Sequence, residues 1–170
     1  MRALMYLAVL GGLLLIAGCS SASDKATENK QAKEQDTESH ALHTLPNGDL
    51  QETTASAEEM PNFLKDKEEQ MQSIYLAAAQ NPEVLQFMPC YCGCGESAGH
   101  KSNLNCFVGE IKEDKVVWDD HGTRCGVCLE IAAESVLMHK EGKALKEIRK
   151  YIDQKYQQGY AKPTPTPMPA

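Results

Sequence analysis

The sequence has no excess of basic residues, and it lacks the short motifs by which many enzymes bind phosphate or attack acyl groups. Its 17 lysines and arginines are outnumbered by 24 acidic residues, and the net charge of −7 makes nucleic acid and anionic lipid poor partners. There is no phosphate-binding loop, no Gly-x-Ser-x-Gly and no His-Glu-x-x-His, and the Asp119-Asp120 pair lacks the spacing of a calcium loop. Hydrolase chemistry is therefore unsupported, and we expect a binding protein and not an enzyme.

No apolar run is long enough to cross a bilayer. The run from Ala3 to Ile16 falls short of the about 20 residues that a spanning helix needs. It follows Arg2 and leads into Ala17-Gly18-Cys19, so the basic start, the apolar stretch and the small residues of a signal peptide are all present. The pattern predicts a bacterial lipoprotein: residues 1–18 are removed, Cys19 is lipidated, and its acyl chains hold the protein on the membrane at its extracytoplasmic face.

Composition predicts disordered segments on both sides of one domain. Residues 19–56 are polar and predict a disordered tether, and the Pro-rich residues 161–170 predict a disordered tail. Residues 57–160 predict one cysteine-rich domain. Within the tether, Leu45-Pro46-Asn47-Gly48-Asp49-Leu50 is a strong turn signal between two leucines that could dock on the domain. His40 and His43 lie beside this turn, and we expect them to be solvated and not to be ligands.

Inside the domain, the apolar residues recur mainly at helical spacing. They predict an amphipathic helix over 62–80, a short helix after Asn81-Pro82, a helix that begins near Gly126 and ends at Gly142, and a last helix over about 145–156. The helix from Gly126 is expected to bury Cys128, Leu129, Ala132, Val136 and Leu137. Two short apolar segments between Cys106 and Trp118 predict a β-hairpin. The predicted fold class is therefore mainly α: a small helical domain with a cysteine-rich loop and one short β-hairpin, flanked by disordered segments.

Crowded cysteines are the strongest functional signal. Pro89-Cys90-Tyr91-Cys92-Gly93-Cys94 places three thiols at every second residue, and in extended backbone these would project from one side. A disulfide within a Cys-x-Cys step is hindered, because disulfides prefer Cα atoms roughly 5.5–6 Å apart. Cys125-Gly126-Val127-Cys128 has the chelating spacing of tetrahedral zinc sites and falls at a predicted helix start that favours a thiolate. The predicted metal ligands are Cys90, Cys92, Cys94, Cys106, Cys125 and Cys128, with His100 and His121 as further candidates.

Thiolates select soft or borderline ions, and six of them suit one zinc, two zincs or a small Cu(I) cluster. We expect Cu(I) or Zn(II), with an extracytoplasmic location favouring copper slightly, and a metal-accepting protein as the partner. Two alternatives stay open. Six cysteines in an exported domain also suit disulfides that staple a surface interaction module. Cys125 and Cys128 also suit thiol redox chemistry, although the chain lacks the alternating strands and helices of a thioredoxin-like fold.

Taken together, Pro89-Cys90-Tyr91-Cys92-Gly93-Cys94-Gly95, Gly99-His100, Asn105-Cys106 and Asp120-His121-Gly122 resemble the PCYCGC-motif lipoprotein family of Gram-positive bacteria. The resemblance covers most of residues 45–158, without a departure from the signature. It implies a cell-surface lipoprotein. Because that family has no assigned activity, the resemblance does not choose between metal binding, disulfides and redox chemistry.

Overall fold

The computed structural model describes residues 40–113 and 115–170. The predicted signal peptide, Cys19 and the first part of the predicted tether lie outside the described residues. The described part contains five α-helices, a four-stranded antiparallel sheet and three short 3-10 segments. The strands are β1 (Leu42–Thr44), β2 (Leu50–Thr54), β3 (Val108–Lys112) and β4 (Lys115–Asp119); the helices are α1 (Glu69–Gln80), α2 (Pro82–Leu85), α3 (Cys94–Ser97), α4 (Gly126–Lys140) and α5 (Leu145–Lys155); the 3-10 segments are Asn62–Leu64, Asn103–Cys106 and Asp120–Arg124. Helices and sheet thus share the fold, and the prediction of a mainly α domain is correct only for its helical part.

The long helices lie close to where the periodicity predicts them. α4 begins at Gly126, and Gly142 follows its end with φ +85. The helix predicted over 62–80 is divided, because the Gln72 side chain donates to the carbonyl oxygens of Leu64 and Lys67 at 3.0 and 2.9 Å and holds a turn before α1. The prediction that α4 buries Leu137 is also wrong. Leu137 is 58% exposed, because it follows the buried Val136 by one residue and is rotated about 100° away from it.

The tether prediction is wrong over the two strands that it contains. The sheet order is β1-β2-β4-β3, so β2 from the predicted tether lies beside β4 from the predicted hairpin. Trp118 Nε1 donates to Thr54 Oγ1 at 2.8 Å, and the backbone N–H of Asn62 donates to the fully buried Glu52 carboxylate at 2.8 Å. These polar side chains are paired inside the fold, so their polarity does not signal solvation. The Pro46–Gly48 turn, with Gly48 at φ +86, joins β1 to β2.

The Pro-rich tail is also ordered, and the prediction of a disordered tail is wrong. The Thr164 N–H donates to the carbonyl oxygen of Cys90 at 3.0 Å, and the Cys90 N–H donates to Thr164 Oγ1 at 2.9 Å. Farther along, Arg149 Nη1 donates to the Pro167 carbonyl oxygen at 3.0 Å. Extended backbone between prolines can pair with a loop wherever a threonine supplies an N–H. The tail therefore lies against the cysteine loop.

An aromatic cluster forms the base of the cysteine-rich region. Tyr75 of α1 meets Phe107 edge to face, with ring centroids 5.0 Å apart, and lies beside Trp118 of β4. Its hydroxyl donates to the Asp119 carbonyl oxygen at 2.9 Å. These buried contacts fix the end of β4 and the 3-10 segment that precedes β3. Across the described ranges, no helix is both long and apolar enough to cross a membrane.

Candidate metal centre

Three separate segments bring the six predicted cysteines together. Cys90 and Cys92 lie in the loop after α2, and Cys94 is the first residue of α3. Gly93, at φ +91, turns the backbone between them, so the expected extended alternation ends at Cys92. Cys106 ends a 3-10 segment, whose start is held by Asn105 Oδ1 accepting from the Ser102 N–H at 3.2 Å. The remaining two, Cys125 and Cys128, lie at the cap and the third residue of α4.

The sulfur atoms are separated by distances that suit a shared ion. Cys90 and Cys128 Sγ are 3.2 Å apart, Cys106 and Cys128 Sγ 3.4 Å, and Cys94 and Cys106 Sγ 3.7 Å. Two sulfurs bound to one tetrahedral zinc at about 2.3 Å lie about 3.8 Å apart, whereas a disulfide bond is about 2.05 Å long. All six are free thiols. Cys125 belongs to the same cluster, because its sulfur and those of Cys92 and Cys128 all lie within 4.8 Å of one another.

Both candidate histidines face the thiols, and the buried carboxylate of Asp49 lies behind them. His121 Nε2 is 4.0 Å from Cys92 Sγ, and its Nδ1 is 3.1 Å from Asp49 Oδ2. His100 Nδ1 is 3.5 Å from Cys106 Sγ, and its Nε2 is 3.9 Å from the same Asp49 oxygen. A metal-binding histidine usually donates its second ring N–H to a carboxylate, which fixes the tautomer. Each ring therefore presents one nitrogen to the sulfurs and the other to Asp49.

A protein-family model described as "Protein of unknown function with PCYCGC motif" matches residues 7–169. The chain belongs to the PCYCGC family. The resemblance that the cysteine motif suggested is thereby confirmed. Neither a search of curated proteins nor a search of solved structures finds a match. Membership in the PCYCGC family carries no activity with it, so the function has to be argued from the cluster itself.

Contacts among the thiols of the PCYCGC loop and its partners stabilise negative charge on sulfur. Hydrogen bonds from Cys106, and then from Cys128, lower the pKa of Cys90 to about 4. The pKa of Cys92 is lowered too, again chiefly by Cys106, whereas the pKa of Cys128 is raised by its bonds to Cys106 and Cys125. Thiolates, and not thiols, are the metal ligands. The two cysteines whose pKa is lowered, Cys90 and Cys92, therefore favour the thiolate form that binds a cation.

The histidines have different electrostatic surroundings. Burial is the main cause that lowers the pKa of His100, which favours the neutral imidazole that binds metals. Contact with the Cys92 sulfur, supported by Asp49 and opposed by burial, raises the pKa of His121 to about 9. A cation bound at the sulfurs would compete with that proton for Nε2. Metal binding at this histidine should therefore release a proton.

Sequence reasoning missed Asp49 and Arg124. Asp49 is 3% exposed; Arg124 donates to its carboxylate, and Asn47 Nδ2 donates to it at 2.8 Å. The Leu50 N–H donates to Asp120 Oδ1 at 2.8 Å, which holds the turn against the centre. The sequence offered one signal for Asp49: it is the single acidic residue in the Leu45–Leu50 turn, which was predicted to dock on the domain.

Proposed function

We propose that this protein binds a soft metal ion, Cu(I) or Zn(II), on its clustered cysteines and holds or carries it at the extracytoplasmic face of the membrane, anchored through lipidated Cys19. The main support is the convergence of eight donor atoms, six sulfurs and two imidazole nitrogens, at separations that suit shared ions. The mostly buried position of these donors and the carboxylate behind both histidines add to that support.

Transport is favoured over a purely structural role. One structural zinc takes four ligands, and this centre offers twice that number. Cys92 and Cys125 are half-exposed, whereas Cys90, Cys94, Cys106 and Cys128 are buried. A metal-accepting protein could therefore approach these two partly exposed cysteines and take the ion by exchange between thiolates. We propose binding and transfer, and not catalysis.

The first experiment measures metal content and free thiols together. The full-length protein is purified without oxygen and without a metal-binding tag. We expect bound copper or zinc and six reduced thiols from Cys90 to Cys128. A metal-free protein without free thiols would refute the proposal and favour the disulfide-stapled surface module; a single oxidised pair at Cys125 and Cys128 would favour redox chemistry.

Variants of the same protein test the residues of the centre, and mass spectrometry tests the anchor. Cys92→Ser should lower the metal content, whereas His43→Gln, a histidine exposed on β1, should leave it unchanged. Equal metal content in wild type and Cys92→Ser would remove Cys92 from the site. Mass spectrometry of the membrane-bound protein should show Cys19 as the first residue with acyl chains attached, and an unmodified Cys19 would refute the lipid anchor.

A further inference from the structure

The donors form several overlapping groups, and two of these groups share no residue, although Cys106 of one lies 3.4 Å from Cys128 of the other. Cys94, Cys106, His100 and His121 form a mixed set whose ligand atoms all lie within 4.8 Å of one another. Cys92, Cys125 and Cys128 form a thiolate set within the same limit. Both sets can therefore be filled at once. Cys90 lies beside the thiolate set, with its Sγ 3.4 Å from Cys92 and 3.2 Å from Cys128.

We propose that the centre holds two different ions at once: a resident Zn(II) on the mixed set and an exchangeable Cu(I) on the thiolate set. The inference rests on the proposed metal-binding function and assigns a separate role to each half of the site. Its basis is the difference between the sets in donor chemistry, charge and exposure.

The mixed set suits a divalent borderline ion that stays in place. Two thiolates and two neutral imidazoles around Zn(II) give no net charge, which minimises the cost of burying the ion. The burial is deep, since Cys94, Cys106 and His100 are 1%, 0% and 7% exposed. Four donors complete the tetrahedral preference of zinc, so no position is left for exchange. Asp49, facing both rings, holds this set in one geometry.

The thiolate set suits a soft monovalent ion that is passed on. It offers sulfur and no nitrogen, the donor type that selects Cu(I). Three thiolates around Cu(I) leave a net negative charge, which is tolerable here because Cys92 and Cys125 are half-exposed. Cys125 caps the 15-residue helix α4 and Cys128 lies in its first turn, where free N–H groups favour negative charge. The partly exposed Cys92 and Cys125 give an incoming thiolate a route to the ion.

X-ray absorption on the full-length protein, loaded anaerobically with zinc and one equivalent of Cu(I), tests the division. We expect two sulfurs and two nitrogens around zinc, and sulfur alone around copper. Cys125→Ser should lose the copper equivalent and keep the zinc. His100→Gln should lose the zinc and keep the copper. His43→Gln should keep both ions.

The outcomes separate this inference from the function on which it rests. A wild-type protein that binds neither metal would refute the proposed function and the inference together. Nitrogen donors around copper, an all-sulfur shell around zinc, or loss of the same ion from both variants would overturn the inference and leave a metal-binding protein. If a variant does not fold, the zinc and copper absorption spectra of the wild type still test whether the two ions have different ligands.

Discussion

Replacing Asp49 by asparagine tests whether this carboxylate orients the two histidines for metal binding. Its Oδ2 lies 3.1 Å from His121 Nδ1 and 3.9 Å from His100 Nε2, and Oδ1 pairs with Arg124. Asparagine keeps the shape but loses the negative charge, and it has one acceptor oxygen where aspartate has two. It therefore cannot satisfy both rings and the guanidinium. We expect each ring to lose its preference for the tautomer that presents a free nitrogen to the sulfurs.

The expected loss follows from the position of the carboxylate behind the ligands. Removing one such partner of a metal ligand typically weakens metal affinity about 10- to 100-fold, which corresponds to about 1.4 to 2.7 kcal/mol. Because one carboxylate serves two histidines here, we expect the upper part of this range for zinc. Competition against a chromophoric chelator at fixed pH measures the dissociation constant for wild type and variant.

Asp120→Asn is the matched control. Its carboxylate also accepts from Arg124, and it accepts from the Leu50 N–H at 2.8 Å instead of from an imidazole. The control therefore changes a neighbouring carboxylate and the pairing of Arg124 without changing what faces the rings. We expect its zinc affinity to stay close to that of wild type. Equal zinc affinity in Asp49→Asn and wild type would show that Asp49 does not orient the ligands.

Three further predictions concern stability. The hydrogen bond with Glu52 raises the pKa of His40, so the protonated imidazole stabilises the fold below pH 6.5 and this stabilisation is lost as the pH rises through the folded-state pKa. The difference in the free energy of unfolding between wild type and His40→Gln, measured in denaturant melts, should therefore shrink as the pH rises. A difference that does not change with pH would refute the role of His40. Gly122→Ala places a Cβ 2.6 Å from a Phe107 ring carbon, so its free energy of unfolding should fall by about 1–3 kcal/mol, and an unchanged melt would refute the close packing. Thr164→Val leaves a buried loop N–H without its acceptor, which should cost about 1–3 kcal/mol in the same melts, and no loss would mean that the tail does not bind the loop in solution.

The helices could be predicted because their evidence is local. The periodic apolar residues of α4 and the glycines at its two ends, Gly126 and Gly142, are all within one segment. The pairing of β2 with β4 is not local, since Gln51 lies opposite Asp119 and Thr54 opposite Val116. Nothing in the polar composition of residues 50–54 indicates that Glu52 becomes fully buried and finds donors on Asn62 and His40. A tether and an inner strand can therefore share one composition.

The same distinction applies to the site. Cysteine chemistry is readable from residue type and spacing, so all six thiols and both histidines were candidates, and the structure brings these eight residues into one cluster. Asp49 and Thr164 have no such signal. Asp49 meets His121 across 72 positions of sequence, and Thr164 meets Cys90 across 74. Ligand types can be predicted from a motif, but the residues that position them depend on the tertiary fold.

Those positioning contacts also favour a fold that survives loss of the exchangeable ion. The cysteine loop is held at Cys90 by the tail, and the Asn103 side chain donates to the Cys128 carbonyl oxygen at 3.2 Å. The aromatic base around Tyr75 lies beneath these segments and needs no metal to pack. Opposing this, an ion that binds only the folded state stabilises that state, so its removal should lower stability. A Cu(I) chelator that removes the exchangeable ion should therefore lower the melting temperature while circular dichroism at 25 °C keeps its folded form, whereas cooperative unfolding on removal of the copper would make that ion structural and refute the transfer role.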